Sequence, residues 1–222
     1  MKNRLLFFSA LLLAFIGIST CNYQSPTASL AANHLRTIQI HVLDHEDQVN
    51  MKGVKVTLTR QGSPTTPEVK YTDENGDTSF TQINTGDKIY FFKAGKEPIT
   101  IEITQKVPNL SYIGVEMWDQ STGNNTISGR VTMITRVGNP YNGIEVRNSN
   151  HPNESDTTEN GVYYIAIANQ TAPFKIEYLK NPQYPLILTV SRSGGGSATI
   201  DVAFDDTPVF GADSLNMPGQ NK

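Results

Sequence analysis

Two similar stretches decide how this chain folds: TDENGDTSF at residues 72–80 and TTENGVYY at residues 157–164. Each places an Asn-Gly pair, Asn75-Gly76 in the first and Asn160-Gly161 in the second, between runs that are typical of strands. Asn and Gly tolerate the positive φ angles that a tight turn requires. The two pairs therefore predict hairpin turns in a β-rich chain.

The similarity extends over most of the chain and keeps the same order in both halves. Four further segments recur at separations of 87 to 90 residues, against 85 for the turn itself. The matched segments are 38–42 with 127–131, 53–56 with 143–146, 98–101 with 185–188, and 112–117 with 199–204. This period is too long for a solenoid unit and indicates the duplication of a whole domain.

Alternation of apolar and polar residues predicts about seven strands in the first half, and no segment has a helical period. Residues 38–42, 54–59 and 99–104 alternate in this way. A period of two over five or more residues is typical of a strand with one face in the core. Residues 162–168 are apolar on both faces, which predicts a central strand. Gly, Pro, Asn and Asp at short spacing between the strands are typical of an antiparallel sandwich.

The predicted fold class is all-β, with two tandem antiparallel β-sandwich domains. Residues 120–125, QSTGNN, have the composition of a short linker, and residues 207–222 are polar and predicted to be disordered. The predicted organisation is a signal peptide at 1–20, a tether at 21–36, one domain at 37–119, the linker at 120–125, a second domain at 126–206 and a tail at 207–222.

The first 20 residues have the pattern of a targeting segment. Lys2 and Arg4 precede an apolar run at 5–18, which is shorter than the ~20 residues needed to span a bilayer. The sequence Ile18-Ser19-Thr20-Cys21 resembles a bacterial lipoprotein signal, which implies that Cys21 becomes the first residue and carries acyl chains such as palmitate. Two or more such chains would anchor the protein stably in a membrane. The alternative is an ordinary secretory leader followed by an unmodified thiol.

Three segments of the second half resemble the carboxypeptidase-regulatory-like domain: ISGRV at 127–131, GIEV at 143–146 and TTENGVY at 157–163. The first half matches more loosely, with Asp44-His45-Glu46-Asp47 where the family often has Asp-x-x-Gly. The resemblance implies transthyretin-like sandwiches that serve as non-catalytic accessory modules of peptidases, outer-membrane receptors and surface lipoproteins. Tandem sandwich lipoproteins of this size also resemble products of Bacteroidota glycan-uptake loci and the shorter pilins of that phylum.

No residue pattern predicts an enzyme, a cofactor or a nucleic-acid partner. His41 and His45 lie four positions apart on a predicted strand, roughly 13 Å at 3.3 Å per residue, which is too far to share a zinc ion. The chain has neither a Gly-x-Ser-x-Gly nor a His-Glu-x-x-His motif. A net charge of −3 with scattered basic residues also argues against nucleic-acid binding.

A calcium-like pattern occurs in the first turn, where Asp73, Asn75 and Asp77 stand at alternate positions. The helix-loop-helix calcium motif needs a glycine at its sixth position, whereas here the glycine is fourth and the flanks are strands. A plain turn is therefore favoured. A weak calcium site that adds carboxylates from residues 44–47 stays open.

Two aromatic residues near predicted strand ends, Trp118 and Tyr141, are candidate ligand contacts. Aromatic rings stack on sugars and anchor protein interfaces. The alternative is that these rings close the ends of the sandwich.

The resulting hypothesis is a non-enzymatic, lipid-anchored protein of the outer membrane that binds a glycan or an outer-membrane receptor. The alternative is a pilin or adhesin subunit that assembles by strand exchange after proteolysis at Leu35-Arg36. Neither hypothesis specifies the oligomeric state or the membrane face.

Overall fold

The computed structural model describes residues 37–105, 109–119, 126–133, 138–167, 173–180, 183, 185–192 and 197–206. These residues form fourteen strands and no helix. No helix that could cross a membrane is therefore found in the part of the chain that the model describes.

Each half of the chain contributes seven strands. Those of the first half are β1 (Thr37–Asp44), β2 (Lys55–Arg60), β3 (Ser63–Tyr71), β4 (Asp77–Thr81), β5 (Lys88–Phe92), β6 (Ile99–Gln105) and β7 (Leu110–Met117). Those of the second half are β8 (Thr126–Met133), β9 (Glu145–Asn148), β10 (His151–Thr157), β11 (Val162–Ala166), β12 (Phe174–Leu179), β13 (Leu186–Arg192) and β14 (Ala198–Phe204).

The strands form two sheets. The six-stranded sheet has the order β11-β8-β14-β7-β1-β4, and the eight-stranded sheet has the order β10-β9-β12-β13-β6-β5-β2-β3. Each half supplies three strands to the first sheet and four to the second, in equivalent places. Alternate residues of most strands point into one apolar core. The all-β sandwich fold predicted from the period-two pattern is confirmed. The predicted antiparallel arrangement is wrong for two pairs, since β1 pairs in parallel with β7 and β8 in parallel with β14.

The two halves are joined through both sheets about a local twofold axis. β7 pairs antiparallel with β14, so that Gly114 faces Asp201, the residue 87 positions further along the chain. β6 pairs antiparallel with β13, so that Glu102 faces Thr189, again 87 positions further. An offset of 87 is the repeat spacing found in the sequence for both strand pairs. Equivalent positions therefore face each other at the centre of each ladder, as in a symmetric dimer.

The junction makes the sandwich continuous. The core residues of both halves belong to one contacting cluster, and residues 37–206 lie within one compact unit. The predicted segments 37–119 and 126–206 correspond to β1–β7 and β8–β14. The predicted linker at 120–125 and the tail at 207–222 lie outside the described residues.

Because the halves share both sheets and one core, we expect the protein to unfold in one cooperative transition. Differential scanning calorimetry should give a single peak whose calorimetric enthalpy equals its van't Hoff enthalpy. Two resolved transitions would show that the halves unfold independently and that the junction couples them weakly.

Both Asn-Gly turns carry the chain from one sheet to the other. Asn75-Gly76 lies between β3 and β4, and Asn160-Gly161 lies between β10 and β11, and in each case the two strands belong to different sheets. The prediction of hairpin turns is therefore wrong, because in neither case do the two flanking strands pair with each other. The tight geometry itself is present, because Asn160 and Gly161 have φ angles of 51° and 73°.

Glycine is required in both turns because the backbone approaches the first strand of its half. A Cβ atom on Gly76 would lie 2.5 Å from the Val42 carbonyl oxygen, and one on Gly161 would lie 2.8 Å from that of Val131. Gly76 also accepts a hydrogen bond from the Val42 amide at 2.9 Å, and Gly161 accepts one from the Val131 amide at 2.7 Å. The turns thus fasten β4 and β11 to β1 and β8.

The strand predicted to be central at residues 162–168 is an edge strand. β11 pairs with β8 alone among the described strands, and its outward residues Val162 and Tyr164 are exposed. The apolar pattern on both faces led to the prediction, because residue type alone does not distinguish a covered face from an exposed one.

The second half has a buried tyrosine pair above a glycine. The Tyr178 hydroxyl donates to the Tyr163 hydroxyl at 2.8 Å, and Tyr163 donates to the Ile200 carbonyl oxygen at 2.7 Å. A Cβ on Gly129 would lie 1.9 Å from that oxygen and 2.9 Å from the Tyr163 hydroxyl. In the first half, the larger Ile40 of β1 stands at the position of Gly129. The smaller Thr78 and Phe91 stand at the positions of Tyr163 and Tyr178.

We predict that Gly129→Ala lowers the free energy of unfolding by about 3 kcal/mol, because the added methyl group forces the tyrosine pair or β14 to move. The matched control is Gly62→Ala, since a Cβ there meets no atom within 4 Å. The control should change stability by less than about 0.5 kcal/mol. Equal unfolding midpoints of the two variants in urea would contradict the close packing at Gly129.

Candidate ligand-binding face

Among the described residues, the outer face of the eight-stranded sheet carries large exposed apolar side chains in the first half only. Tyr71 is 62% exposed, Phe92 43% and Tyr90 37%, and Val69 beside them is 43% exposed. We call these four residues the aromatic face. They alternate along β3 and β5 with inward-facing or edge residues, so the sheet itself directs them into solvent.

The strand register arranges the aromatic face in two rows across three strands. Lys55 of β2 faces Tyr71 on one side and Phe92 on the other. Thr57 faces Val69 and Tyr90 in the next row.

The rows place the aromatic side chains within reach of one extended ligand. Strands lie ~4.8 Å apart, so the backbones of Tyr71 and Phe92 are about 10 Å apart across β2. The Tyr90 and Phe92 ring centroids are 6.4 Å apart, and their planes differ by 18°. The face therefore offers two nearly parallel rings on one strand and a third two strands away.

The second half shows what this surface looks like without the aromatic side chains. Thr157 stands at the position equivalent to Tyr71, facing Glu145, and Glu145 in turn faces Leu179, at the position of Phe92. Glu177 stands at the position of Tyr90 and pairs with Arg147 at 2.6 Å. The duplicated fold therefore does not need aromatic residues at these sites.

This comparison shows that the exposed rings are specific to the first half and are not a general feature of the sandwich. An exposed apolar patch carries a solvation cost, and such patches commonly mark binding surfaces. In the second half, the outer face of the same sheet carries the ion pairs of Arg147 with Glu145 and Glu177. The three rings are therefore the strongest candidate for a functional site among the described residues.

The charges around the rings are unevenly balanced. Lys88, in the row next to Tyr90, pairs with Glu102 at 3.3 Å. Lys55 lies between two rings and has no ion-pair partner among the residues that the structure describes. Rings, one free ammonium and threonine hydroxyls can hold a ligand. Ligand contact at such groups is made by stacking, ion pairing and hydrogen bonding.

The sequence analysis did not predict Tyr71, Tyr90 and Phe92 as site residues, because it selected aromatic residues near the ends of predicted strands. A signal was available in the duplication. Aligning the two halves and comparing only outward-facing positions would have marked the three rings against Thr157, Glu177 and Leu179.

The two aromatic residues that the sequence did select lie elsewhere. Trp118 is half-buried and stacks on His45, with centroids 3.2 Å apart, and the His45 Nδ1 lies 2.9 Å from a Glu116 carboxylate oxygen. Tyr141 is half-buried and packs edge-on against Phe204, with centroids 6.4 Å apart. These contacts fit the alternative that both rings close strand ends, and their role in ligand contact stays a prediction.

The carboxylates considered for calcium binding surround a lysine. The Lys96 Nζ lies 2.6 to 2.9 Å from carboxylate oxygens of Asp44, Glu46 and Asp119. Burial raises the pKa of Asp44, but hydrogen bonds with Lys96, Glu46 and the Asp47 backbone, together with the Lys96 charge, outweigh burial and hold the pKa below its ordinary value. In the described segments, no group of three or more His, Cys, Asp or Glu side chains is arranged to hold a metal ion.

The other residues considered for metal binding also have protein partners. The His41 Nδ1 lies 2.7 Å from an Asp77 carboxylate oxygen. The Asp73 carboxylate accepts the backbone amides of Asn75 at 2.8 Å and Asp77 at 2.9 Å, as in a plain Asx-type turn.

Tyr141 belongs to a polar cluster that joins the two halves. Its hydroxyl donates to an Asp206 carboxylate oxygen at 2.5 Å, and Asn109 and Lys180 also bond to that carboxylate. The hydrogen bond to Asp206, followed by burial, raises the pKa of Tyr141 to about 12. The neutral phenol is thus favoured in the folded protein.

Since the folded pKa of Tyr141 exceeds its ordinary value of 10.0, its contribution to stability is present below pH 10 and lost as pH rises through about 12. Ultraviolet titration of Tyr141→Phe should lack one ionisation near pH 12. Asp206→Asn should instead move that ionisation back towards pH 10. An unchanged titration of Tyr141→Phe would show that another tyrosine ionises there.

Comparison with known proteins gives only distant structural matches. No protein-family model matches the chain, and no curated protein matches it. The resemblance to the carboxypeptidase-regulatory-like domain and to Bacteroidota lipoproteins therefore stays a prediction.

Three solved structures illustrate the distance. The Bacillus anthracis TIE protein matches with a TM-score of 0.29 at 11% identity, over 76% of this chain and 34% of that chain. A streptococcal ancillary pilin matches with a TM-score of 0.26 at 13% identity, over 75% of this chain and 62% of that one. The shaft pilin SpaA of Lactobacillus rhamnosus GG matches with a TM-score of 0.24 at 10% identity, over 78% and 98%. With TM-scores of 0.24 to 0.29, these matches indicate no function for this chain.

Proposed function

We propose that this chain is a non-enzymatic binding module of the cell envelope and that the aromatic face binds a glycan. The observation that carries the proposal is the contrast between the two halves. The first half exposes Tyr71, Tyr90 and Phe92, where the second half, with the same fold, has Thr157, Glu177 and Leu179.

A glycan suits the chemistry of the face. Pyranose rings present apolar C–H faces that pack on aromatic side chains, and their hydroxyl groups need hydrogen-bond partners beside the rings. Lys55 and Thr57 supply such partners between the aromatic residues. Because the rings lie on β3 and β5, with β2 between them, an extended sugar chain fits better than a single sugar.

The anchoring of the module is part of the same proposal. Cys21 would carry the lipid and residues 21–36 would form the tether, both of which lie outside the described residues. A coil of this length reaches roughly 20 Å by the square-root rule, which holds the sandwich off the outer membrane. The module would then present captured glycan to an outer-membrane receptor.

The alternative, a pilin or adhesin subunit, has one observation in its favour. β11 itself contains no charged residue, and Val162 and Tyr164 are exposed on it, although the Asp156 carboxylate accepts the backbone amide of Tyr164 at 2.7 Å. At the opposite edge of the sheet, Arg60 and Lys70 side chains donate to the carbonyl oxygens of β4. Strand exchange would therefore use β11, because β1 is already paired on both sides, with β4 and β7.

We predict that Tyr71→Ala, Tyr90→Ala and Phe92→Ala each weaken glycan binding about tenfold, since one aromatic contact contributes about 1.4 kcal/mol. Affinity electrophoresis of the purified protein in gels containing dextran, xylan, mannan or polygalacturonate measures the effect. Tyr164→Ala is the matched control, because this tyrosine is 57% exposed on the other sheet.

The control variant should bind as the unmodified protein does, and circular dichroism should give the same melting temperature for all variants. Unchanged mobility of the triple aromatic variant would overturn the assignment of the face. Self-association of the unmodified protein in light scattering, abolished by Tyr164→Lys and without glycan binding, would favour the pilin alternative.

A further inference from the structure

We infer that the glycan bound at the aromatic face is anionic and that Lys55 pairs with its carboxylate or sulfate groups. The inference rests on the proposed glycan binding and specifies the chemical class of the ligand. It is argued from the position of Lys55, from its lack of an ion-pair partner and from the residue that replaces it in the second half.

Lys55 stands where a bound sugar chain would cross the sheet. It lies on β2, directly between Tyr71 on β3 and Phe92 on β5, in one cross-strand row. Its outward direction follows from its neighbours Val54 and Val56, which are fully buried in the core. A chain stacked on both rings therefore passes over the Lys55 ammonium group.

The charge of Lys55 is not balanced by the protein. The lysines at the borders of this region have partners: Lys52 pairs with Glu74, and Lys88 pairs with Glu102. Lys55 is exposed and pairs with no carboxylate in the described residues. A positive charge between two rings favours a ligand that carries negative charge along its length.

The second half again supplies the comparison. Glu145 occupies the position equivalent to Lys55, and the adjacent Arg147 bonds to Glu177 and lies 3.5 Å from Glu145. Glu145, Arg147 and Glu177 are thus paired with one another within the sheet, whereas Lys55 has no carboxylate partner among the described residues. The sign at this position differs between two copies of one fold, so the fold does not require lysine there.

General attraction of polyanions does not explain such a site. The chain has a net charge of −3, so the protein as a whole repels anionic polymers. Binding of an acidic glycan must therefore depend on the local pairing at Lys55 together with stacking on the rings. The same reasoning predicts that binding weakens as salt screens the ion pair.

Two pairs of matched polymers test the inference with the full-length protein. Polygalacturonate and its methyl ester share a backbone and differ in carboxylate charge, while dextran sulfate and dextran differ in sulfate. We expect the unmodified protein to bind at least one charged polymer about tenfold more tightly than its neutral partner, in affinity electrophoresis at low salt. Lys55→Gln should reduce that ratio to below about threefold.

Lys175→Gln is the matched control, because Lys175 is an exposed lysine on β12, on the outer face of the same sheet in the second half. It should keep the tenfold preference. An equal loss in both lysine variants would overturn the inference, since it would indicate non-specific attraction. The charged polymer that binds more tightly, carboxylated or sulfated, identifies which anionic group pairs with Lys55.

The failures of the two proposals are distinguishable. If neutral and charged polymers bind equally and Tyr71→Ala weakens both, the inference about charge fails and the aromatic glycan site stands. If no polymer binds the unmodified protein, the proposed function fails as well. If charged polymers bind and the aromatic variants have no effect, binding lies elsewhere and both assignments are overturned.

Discussion

The structure depends on the pairing of two strand edges at its centre. Without the second half, β6 and β7 would each leave a row of amide and carbonyl groups without a ladder partner on that side. Pairing with β13 and β14 satisfies both edges at once and closes the core over the junction. Because equivalent residues such as Gly114 and Asp201 face each other, the chain reproduces within one molecule the symmetry of a dimer. The shared core and the common sheet surface follow from this arrangement.

Because the two halves share one fold, each residue of one half can be compared with the residue at the equivalent position of the other. In the interior, differences in side-chain size between the halves compensate each other. The first half pairs Ile40 with Thr78, whereas the second pairs the smaller Gly129 with the larger Tyr163, and the space remains filled. On the outer surface, the exchange of Tyr90 for Glu177 has no such steric partner. Substitutions that are compensated inside reflect packing. The exposed rings of the aromatic face are not compensated in this way, so packing does not account for them, and the proposed function starts from them.

Local patterns predicted the strands, the duplication and the sandwich, because alternation and turn residues are properties of neighbours in the chain. The same patterns did not predict the central junction, since the pairing of β7 with β14 joins residues far apart in sequence. They also misplaced β11 in the sheet and treated Asn75-Gly76 as a hairpin tip, because turn chemistry does not specify which sheet each flanking strand joins. Trp118 and Tyr141 were selected by their positions near strand ends, and only their packing contacts distinguish them from exposed rings.

The arrangement of the two sheets separates the start of the sandwich from the aromatic face. The chain enters the sandwich at Thr37, in β1 of the six-stranded sheet. The aromatic face lies on β3 and β5 of the other sheet and points away from the core. The point at which the chain enters the described sandwich and the aromatic face therefore lie on different sheets. In the proposed function, an anchor at Cys21 would thus be attached through the sheet that does not carry the aromatic face, and the pairing that satisfies the central backbone edges also fixes which sheet that is.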